Sequence, residues 1–169
     1  MSSPLLVSPI APAQTLALRQ AILRPGAPPE ASVYAADDAP STFHLGLFDG
    51  ASEAPLGIAS FFRDPLPAAW AELVRATAPA LLDAPPWRLR GMAVDAPYQS
   101  RGYGSVLLQA GFEAIATRGG GLLWCNARVA ALEFYRRLGF RTWGDEFTVP
   151  DIGQHFVMAR RVDAASSTP

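Results

Sequence analysis

Six residues, Gln99-Ser100-Arg101-Gly102-Tyr103-Gly104, constrain this chain more than any other stretch. Residues 89–95 ahead of them read as a strand, and residues 105–115 after them read as a helix. A strand, a glycine-bearing turn and a helix start make an anion site, because the first helical N–H groups have no intrahelical partner. The helix dipole places roughly half a positive charge at the same point. Gly102 and Gly104 lack a Cβ, so a phosphate can come close to their backbone. A dinucleotide fingerprint requires a third glycine where this chain has Leu107, and a P-loop requires a lysine that the chain does not contain. A phosphate-bearing small molecule is the implied ligand; an ordinary glycine turn opening a helix is the plainer alternative.

A second stretch weighs against the plainer reading. Residues 122–126, Leu-Leu-Trp-Cys-Asn, read as a buried strand, and a helix carrying Phe134-Tyr135 and ending in Leu138-Gly139-Phe140 follows. Gln-x-x-Gly-x-Gly resembles the pyrophosphate loop of the GNAT superfamily of acetyl-CoA-dependent acyltransferases. The strand, Asn, Phe-Tyr helix and Leu-Gly-Phe resemble that superfamily's other characteristic segment. The likeness runs from about residue 89 to residue 158, less than half the chain, and ends in His155-Phe156-Val157-Met158, as in small bacterial single-domain members.

The resemblance implies an α/β (α+β) fold: a central mixed, mostly antiparallel sheet of six to seven strands, splayed at the acetyl-CoA site and flanked by about four helices. The residues in order agree with such an alternation. Residues 4–8 predict a first strand, and residues 13–23 a helix stopped by Arg24-Pro25-Gly26. Residues 25–40 predict a loop. Residues 42–48 and 56–62 predict a hairpin, turning at Asp49-Gly50. Residues 68–78 predict a helix, 87–94 a strand, and 141–149 and 153–162 two final strands. In the helix after the glycine turn, Leu107, Leu108, Gly111 and Ile115 share a face opposite Gln109 and Glu113. In the last helix Ala131, Phe134 and Leu138 face one way, Glu133, Arg136 and Arg137 the other, with Tyr135 on the shoulder.

A chain of 169 residues suits one domain with a sizeable core. Residues 1–163 are expected to form it, with 164–169 a frayed tail. A net charge of −1 and the lack of a basic run give no electrostatic case for nucleic acid. The uncharged N-terminal stretch has no basic flank and is broken by four prolines or serines, Pro4, Ser8, Pro9 and Pro12, so it does not read as a signal peptide. No run reaches the ~20 apolar residues of a membrane span. A soluble, cytoplasmic protein is expected, with a homodimer left open. The single cysteine, Cys125, reads as a small core residue.

What the resemblance implies for chemistry is acetyl transfer from acetyl-CoA to a primary amine of a small molecule or peptide, by direct transfer in a ternary complex and without a metal. Gln99, Ser100, Arg101, Gly102, Tyr103, Gly104 and Ser105 would hold the pyrophosphate. The backbone of Met92, Ala93 and Val94 would bond the pantetheine amides and the thioester oxygen. Asn126 would hold the pantetheine arm, or simply cap the following helix. Tyr135 matches the family's tyrosine that donates to the leaving thiolate. Many members carry a glutamate on the strand before the glycine turn; this strand offers Met92, Ala93 and Val94 instead. Glu146, His155 and His44 are the remaining candidates for the general base. Arg19, Arg24 and Arg90 are candidates for recognising an acidic acceptor, against the commoner fate of structural pairing. A module that holds acyl-CoA without turnover is the alternative function.

Overall fold

The structure is a computed structural model and describes residues 4–50 and 52–166. Among the described residues seven strands form one sheet in the order β1-β2-β3-β4-β5-β7-β6, and four α-helices accompany it. The chain divides into two compact units, Met1–Phe62 with Leu89–Phe112, and Arg63–Arg88 with Glu113–Pro169.

In the first unit β1 (Leu5–Pro9) pairs antiparallel with β2 (Phe43–Asp49), and β2 pairs antiparallel with β3 (Gly57–Arg63). The helical stretch predicted at 13–23 is present but changes pitch along its length. It begins as a 3₁₀ turn, Pro12–Thr15, passes through α1 (Leu16–Leu18) and widens to a π-turn, Arg19–Leu23. Pro12 opens it and the Gln14 side chain accepts the Ala11 N–H at 2.9 Å. Leu18 packs with Ile58 and Ala93, flanked by Ile10, Ile22 and Leu23. The predicted loop at 25–40 contains a further 3₁₀ turn, Pro29–Ser32. β4 (Trp87–Val94) alternates buried and half-buried residues, and its Gly91 has a φ of +68°. α3 (Tyr103–Ala116) buries Leu107, Leu108, Gly111 and Ile115 while Gln109 and Glu113 are exposed, as its apolar spacing predicts. A Cβ on Gly111 would come within 2.3 Å of Phe61 Cζ, so the helix seats against β3 only because that position has no side chain.

In the second unit β5 (Gly121–Arg128) lies antiparallel to β7 (Gly153–Val162), from Gly121 opposite Val162 to Arg128 opposite His155. The start of β4 runs parallel to β5, Trp87 beside Leu123 and Arg88 beside Trp124. β6 (Arg141–Val149) pairs with β7, but between Trp143 and Phe147 its register shifts. Gly144, Asp145 and Glu146 stand opposite Phe156 alone, a bulge that strand spacing in the sequence does not announce. α2 (Ala68–Thr77) lies over this unit's core of Leu66, Val74, Leu122, Trp124, Trp143, Val157 and Ala159. The Trp70 indole N–H donates to the Trp143 carbonyl at 3.1 Å. α4 (Leu132–Arg137) closes where the Phe140 N–H donates to the Tyr135 carbonyl at 3.1 Å. Arg160 Nη1 then donates to the Leu138 carbonyl at 2.6 Å. The Ala165 N–H donates to the Ala116 carbonyl at 3.0 Å, so the first residues of the tail are tied down; residues 167–169 lie outside those described.

Candidate active site

The glycine turn is built as the sequence suggests. Asp95 Oδ1 accepts the Ala96 N–H at 2.9 Å, and the Gln99 side-chain amide donates back to the Val94 carbonyl at 2.9 Å. Gln99 therefore ties the turn to the end of β4. Ser100 (φ +61°) and Gly102 (φ +82°) are both left-handed. A serine there costs about 1–2 kcal/mol, so the turn holds backbone strain on an exposed surface. Ser105 and Val106 N–H groups both reach the Gly102 carbonyl, at 3.0 and 3.2 Å. The Tyr103 and Gly104 N–H groups precede these first helical bonds. A Cβ on Gly102 would meet nothing within 4 Å, so the space beside the turn is open. Tyr98 and Tyr103 stack at 5.7 Å, and the exposed Arg101 guanidinium lies 5.8 Å from the Tyr98 ring centre. Ahead of the turn, Ala93 is buried while Met92 and Val94 are half-buried.

In the second unit Asn126 is half-buried within β5, opposite Val157. The strand continues to Arg128, so Asn126 is not a helix cap, and that alternative falls away. Tyr135 is buried, the most enclosed residue of α4 rather than a shoulder residue. Its ring meets Phe134 at 5.1 Å and Phe140 at 5.3 Å, both edge to face. Burial pushes its hydroxyl pKa well above 10; the neighbouring Cys125 adds to the rise and Arg128 opposes it. Cys125 is itself buried, and burial pushes its thiol far up against a small opposing effect of Arg88. A reactive thiol is the reverse of this setting.

The three candidate bases part ways. His155 is buried on β7, its ring 5.9 Å from Phe147, and its Nδ1 donates to the Gly153 carbonyl at 2.8 Å. A carbonyl can only accept, so the Nδ1 proton is fixed and the lone pair of the neutral ring falls on Nε2. Glu146 is exposed, on the β6 bulge. His44 is different: its Nε2 donates to the Asp37 carbonyl at 3.0 Å and its Nδ1 faces Ser60 Oγ at 2.7 Å. With both nitrogens engaged at 4% exposure, it is a structural residue, and its candidacy as base is withdrawn.

His44 belongs to a polar network that no sequence motif signals, because its members run from residue 19 to residue 60. Arg19 is fully buried and grips both carboxylate oxygens of Asp37, at 2.7 and 2.8 Å. It also donates to Ser60 Oγ at 2.8 Å and the Ser32 carbonyl at 3.0 Å. Burial alone would raise the Asp37 pKa, but the Arg19 hydrogen bonds, the Tyr34 N–H and the Arg19 charge outweigh it and hold the carboxyl below its usual range. Arg19 and Arg90 both lie over the Tyr34 ring, at 4.0 and 3.8 Å. Arg19 is thus a structural pairing residue and not a recogniser of acceptor.

Residues 14–140 match the Acetyltransferase (GNAT) family. YitI of Bacillus subtilis (strain 168), named an uncharacterized N-acetyltransferase, is 36% identical over 153 residues, covering 90% of this chain and 93% of that protein. The chain belongs to the GNAT family of N-acetyltransferases. Solved GNAT folds agree. The Escherichia coli ribosomal-protein-S18-alanine N-acetyltransferase superposes with a TM-score of 0.67 at 17% identity, over 98% of this chain and 99% of that one. An aminoglycoside 6′-N-acetyltransferase complexed with coenzyme A gives 0.64 at 12% identity, over 96% and 99%. Among the described residues no group of three or more His, Cys, Asp or Glu could hold a metal, and no helix is long and apolar enough to cross a membrane.

Proposed function

We propose that this family member transfers acetyl from acetyl-CoA to a primary amine of a small molecule or peptide. The observation that carries the reading is the open, left-handed turn at Ser100 and Gly102 feeding the start of α3. The backbone N–H groups of Tyr103 and Gly104 at the helix start and the dipole of a fourteen-residue helix suit a pyrophosphate. Arg101 stands beside it, exposed and cationic.

Acetyl-CoA supplies the activated acetyl thioester. The backbone of Met92, Ala93 and Val94 orients the pantetheine arm, and an N–H there stabilises the thioester oxygen as it gains charge. Asn126 supports the arm. Tyr135 donates a hydrogen bond to sulfur as the carbon–sulfur bond breaks. Its raised pKa makes it a donor that stays protonated, not a proton source. His155 takes the amine proton at Nε2, the nitrogen its bond to Gly153 leaves with the lone pair. Glu146 is the second choice, exposed where it can attract a cationic amine or accept its proton through water.

The test is thiol release from acetyl-CoA over a panel of amines, with acetyl-CoA affinity measured in parallel. Acceptor-dependent release that falls at least tenfold in His155→Gln supports the reading. Binding with no release from any amine would point to an acyl-CoA-holding module, and no binding would overturn the acetyl-CoA reading altogether.

A further inference from the structure

The left-handed backbone of Gly91 bends β4 locally, and this kink has an unusual support. Gly91 precedes Met92 and has a φ of +68°, a conformation outside the regular extended range of a strand. A Cβ there would lie 2.8 Å from Arg19 Nε and 3.0 Å from Tyr34 Cε2. The guanidinium edge and the tyrosine ring therefore rest directly on bare backbone. Arg19 Nε is buried and makes no hydrogen bond, so this edge is given to packing alone.

The rest of the guanidinium is fixed. Its two terminal nitrogens make the four bonds to Asp37, Ser32 and Ser60 described above. Ser60, having accepted from Arg19, has its own proton free for His44 Nδ1, while His44 Nε2 anchors on the Asp37 carbonyl. The chain of bonds runs from the π-turn through β3 and β2 and back to the 33–37 turn. Arg19 has no room to withdraw from Gly91.

Stability does not explain such an arrangement well. Removing two charges from water is costly, and apolar residues of similar volume often replace a buried ion pair at no loss. A rigid fork of five donors does something an apolar side chain does not: it holds one position and orientation.

We propose that Arg19 is a positioning residue: locked by Asp37 and Ser60, it sets the β4 kink at Gly91 and thereby the direction of the backbone groups of Met92, Ala93 and Val94. That these groups meet acetyl-CoA rests on the function proposed above; the support of the kink does not.

The experiment uses Arg19→Lys, which keeps the charge but loses the fork, and Ser60→Ala, which removes one anchor and leaves the ion pair. Amide hydrogen exchange is read by NMR in the ligand-free protein. Exchange at Gly91, Met92, Ala93 and Val94 quickens at least tenfold in both variants, while Leu123 and Met158 keep wild-type rates. Titration with acetyl-CoA then shifts Gly102 and Gly104 as in wild type but moves Ala93 and Val94 less. With any amine that supports turnover, kcat falls about tenfold and KM for acetyl-CoA changes less than threefold. A purely structural role would raise exchange everywhere in step with a lower melting temperature, and that result overturns the proposal. So does unchanged exchange at residues 91–94 in the folded variants. If Arg19→Lys does not fold, Ser60→Ala decides alone. If wild type shows no shifts with acetyl-CoA, the proposed function fails, and the exchange measurement still decides the support of the kink.

Discussion

Replacing Tyr135 by Phe removes one oxygen and leaves the ring between Phe134 and Phe140. The fold should therefore persist, with stability changed by no more than about 1 kcal/mol. An unperturbed tyrosine has a pKa of about 10 and a cysteine-like thiol about 8.5, so full proton transfer to the departing thiolate is uphill by roughly 2 kcal/mol. Burial raises the Tyr135 value further, and the uphill step grows with it. What remains is a hydrogen bond to a developing negative charge, worth about 1.5–3 kcal/mol. That corresponds to a loss of about 10- to 150-fold in kcat, with little change in acetyl-CoA affinity. The sign of the pH effect follows from the same burial. A raised pKa keeps the hydroxyl protonated throughout the neutral and mildly alkaline range, so the ratio of wild-type to Tyr135→Phe turnover should be flat from about pH 6 to pH 9. The assay is steady-state thiol release for both proteins across that range. An alkaline limb with an apparent pKa below 10, present in wild type and absent from Tyr135→Phe, would refute the reasoning, because it would mean the hydroxyl ionises easily.

Gly104→Val should remove measurable acetyl-CoA binding in calorimetry, whereas Gly102→Ala, with open space but a φ of +82°, should first cost about 1–2 kcal/mol of stability. Acetyl-CoA affinity should fall with ionic strength, and the slope should be shallower in Arg101→Ala; a salt-independent affinity would count against Arg101. Stability should decline above about pH 9, because Cys125 and Tyr135 are held protonated in the fold but ionise freely when unfolded, each group contributing about 1.4 kcal/mol per pH unit beyond its unfolded pKa. Denaturant titrations of Cys125→Ala should show a gentler alkaline decline. Asp37, with a lowered pKa, works in the other direction: its contribution is complete above about pH 4 and fades as pH falls below that, so Asp37→Asn should be less stable at neutral pH and less sensitive to acid.

Local patterns carried the fold a long way. Period-two burial in β4 and the apolar stripe of α3 follow directly from side-chain spacing, and the structure repeats both. The glycine turn was legible because its parts are local: two left-handed residues and a helix start lie within a few positions. The β6 bulge was not, since Gly144-Asp145-Glu146 reads as strand until a partner strand shows three residues against one. Tyr135 was misplaced on a shoulder because a six-residue helix turns too little for periodicity to fix its inward face. His44 looked like a base because its residue type suits the task, and only tertiary structure reveals that Ser60 and Asp37 occupy both nitrogens. The Arg19–Asp37 pair has no local signature at all, as eighteen positions separate its members.

The changing pitch of residues 12–23 bears on which lengths of chain this region accepts. The segment tightens at its 3₁₀ start and loosens at its π end, and Arg19 stands where the loosening begins. One residue added between Leu18 and Arg19 would turn everything before it by about 100° relative to everything after. Either Leu18 would leave Ile58 and Ala93, or Arg19 would leave Asp37 and strand a buried carboxylate. The exposed stretch around Asp38, Pro40 and Ser41 has no such obligation. A library of single-residue insertions should therefore be depleted at the Leu18–Arg19 junction and populated near residue 40, even though both places lie outside the sheet.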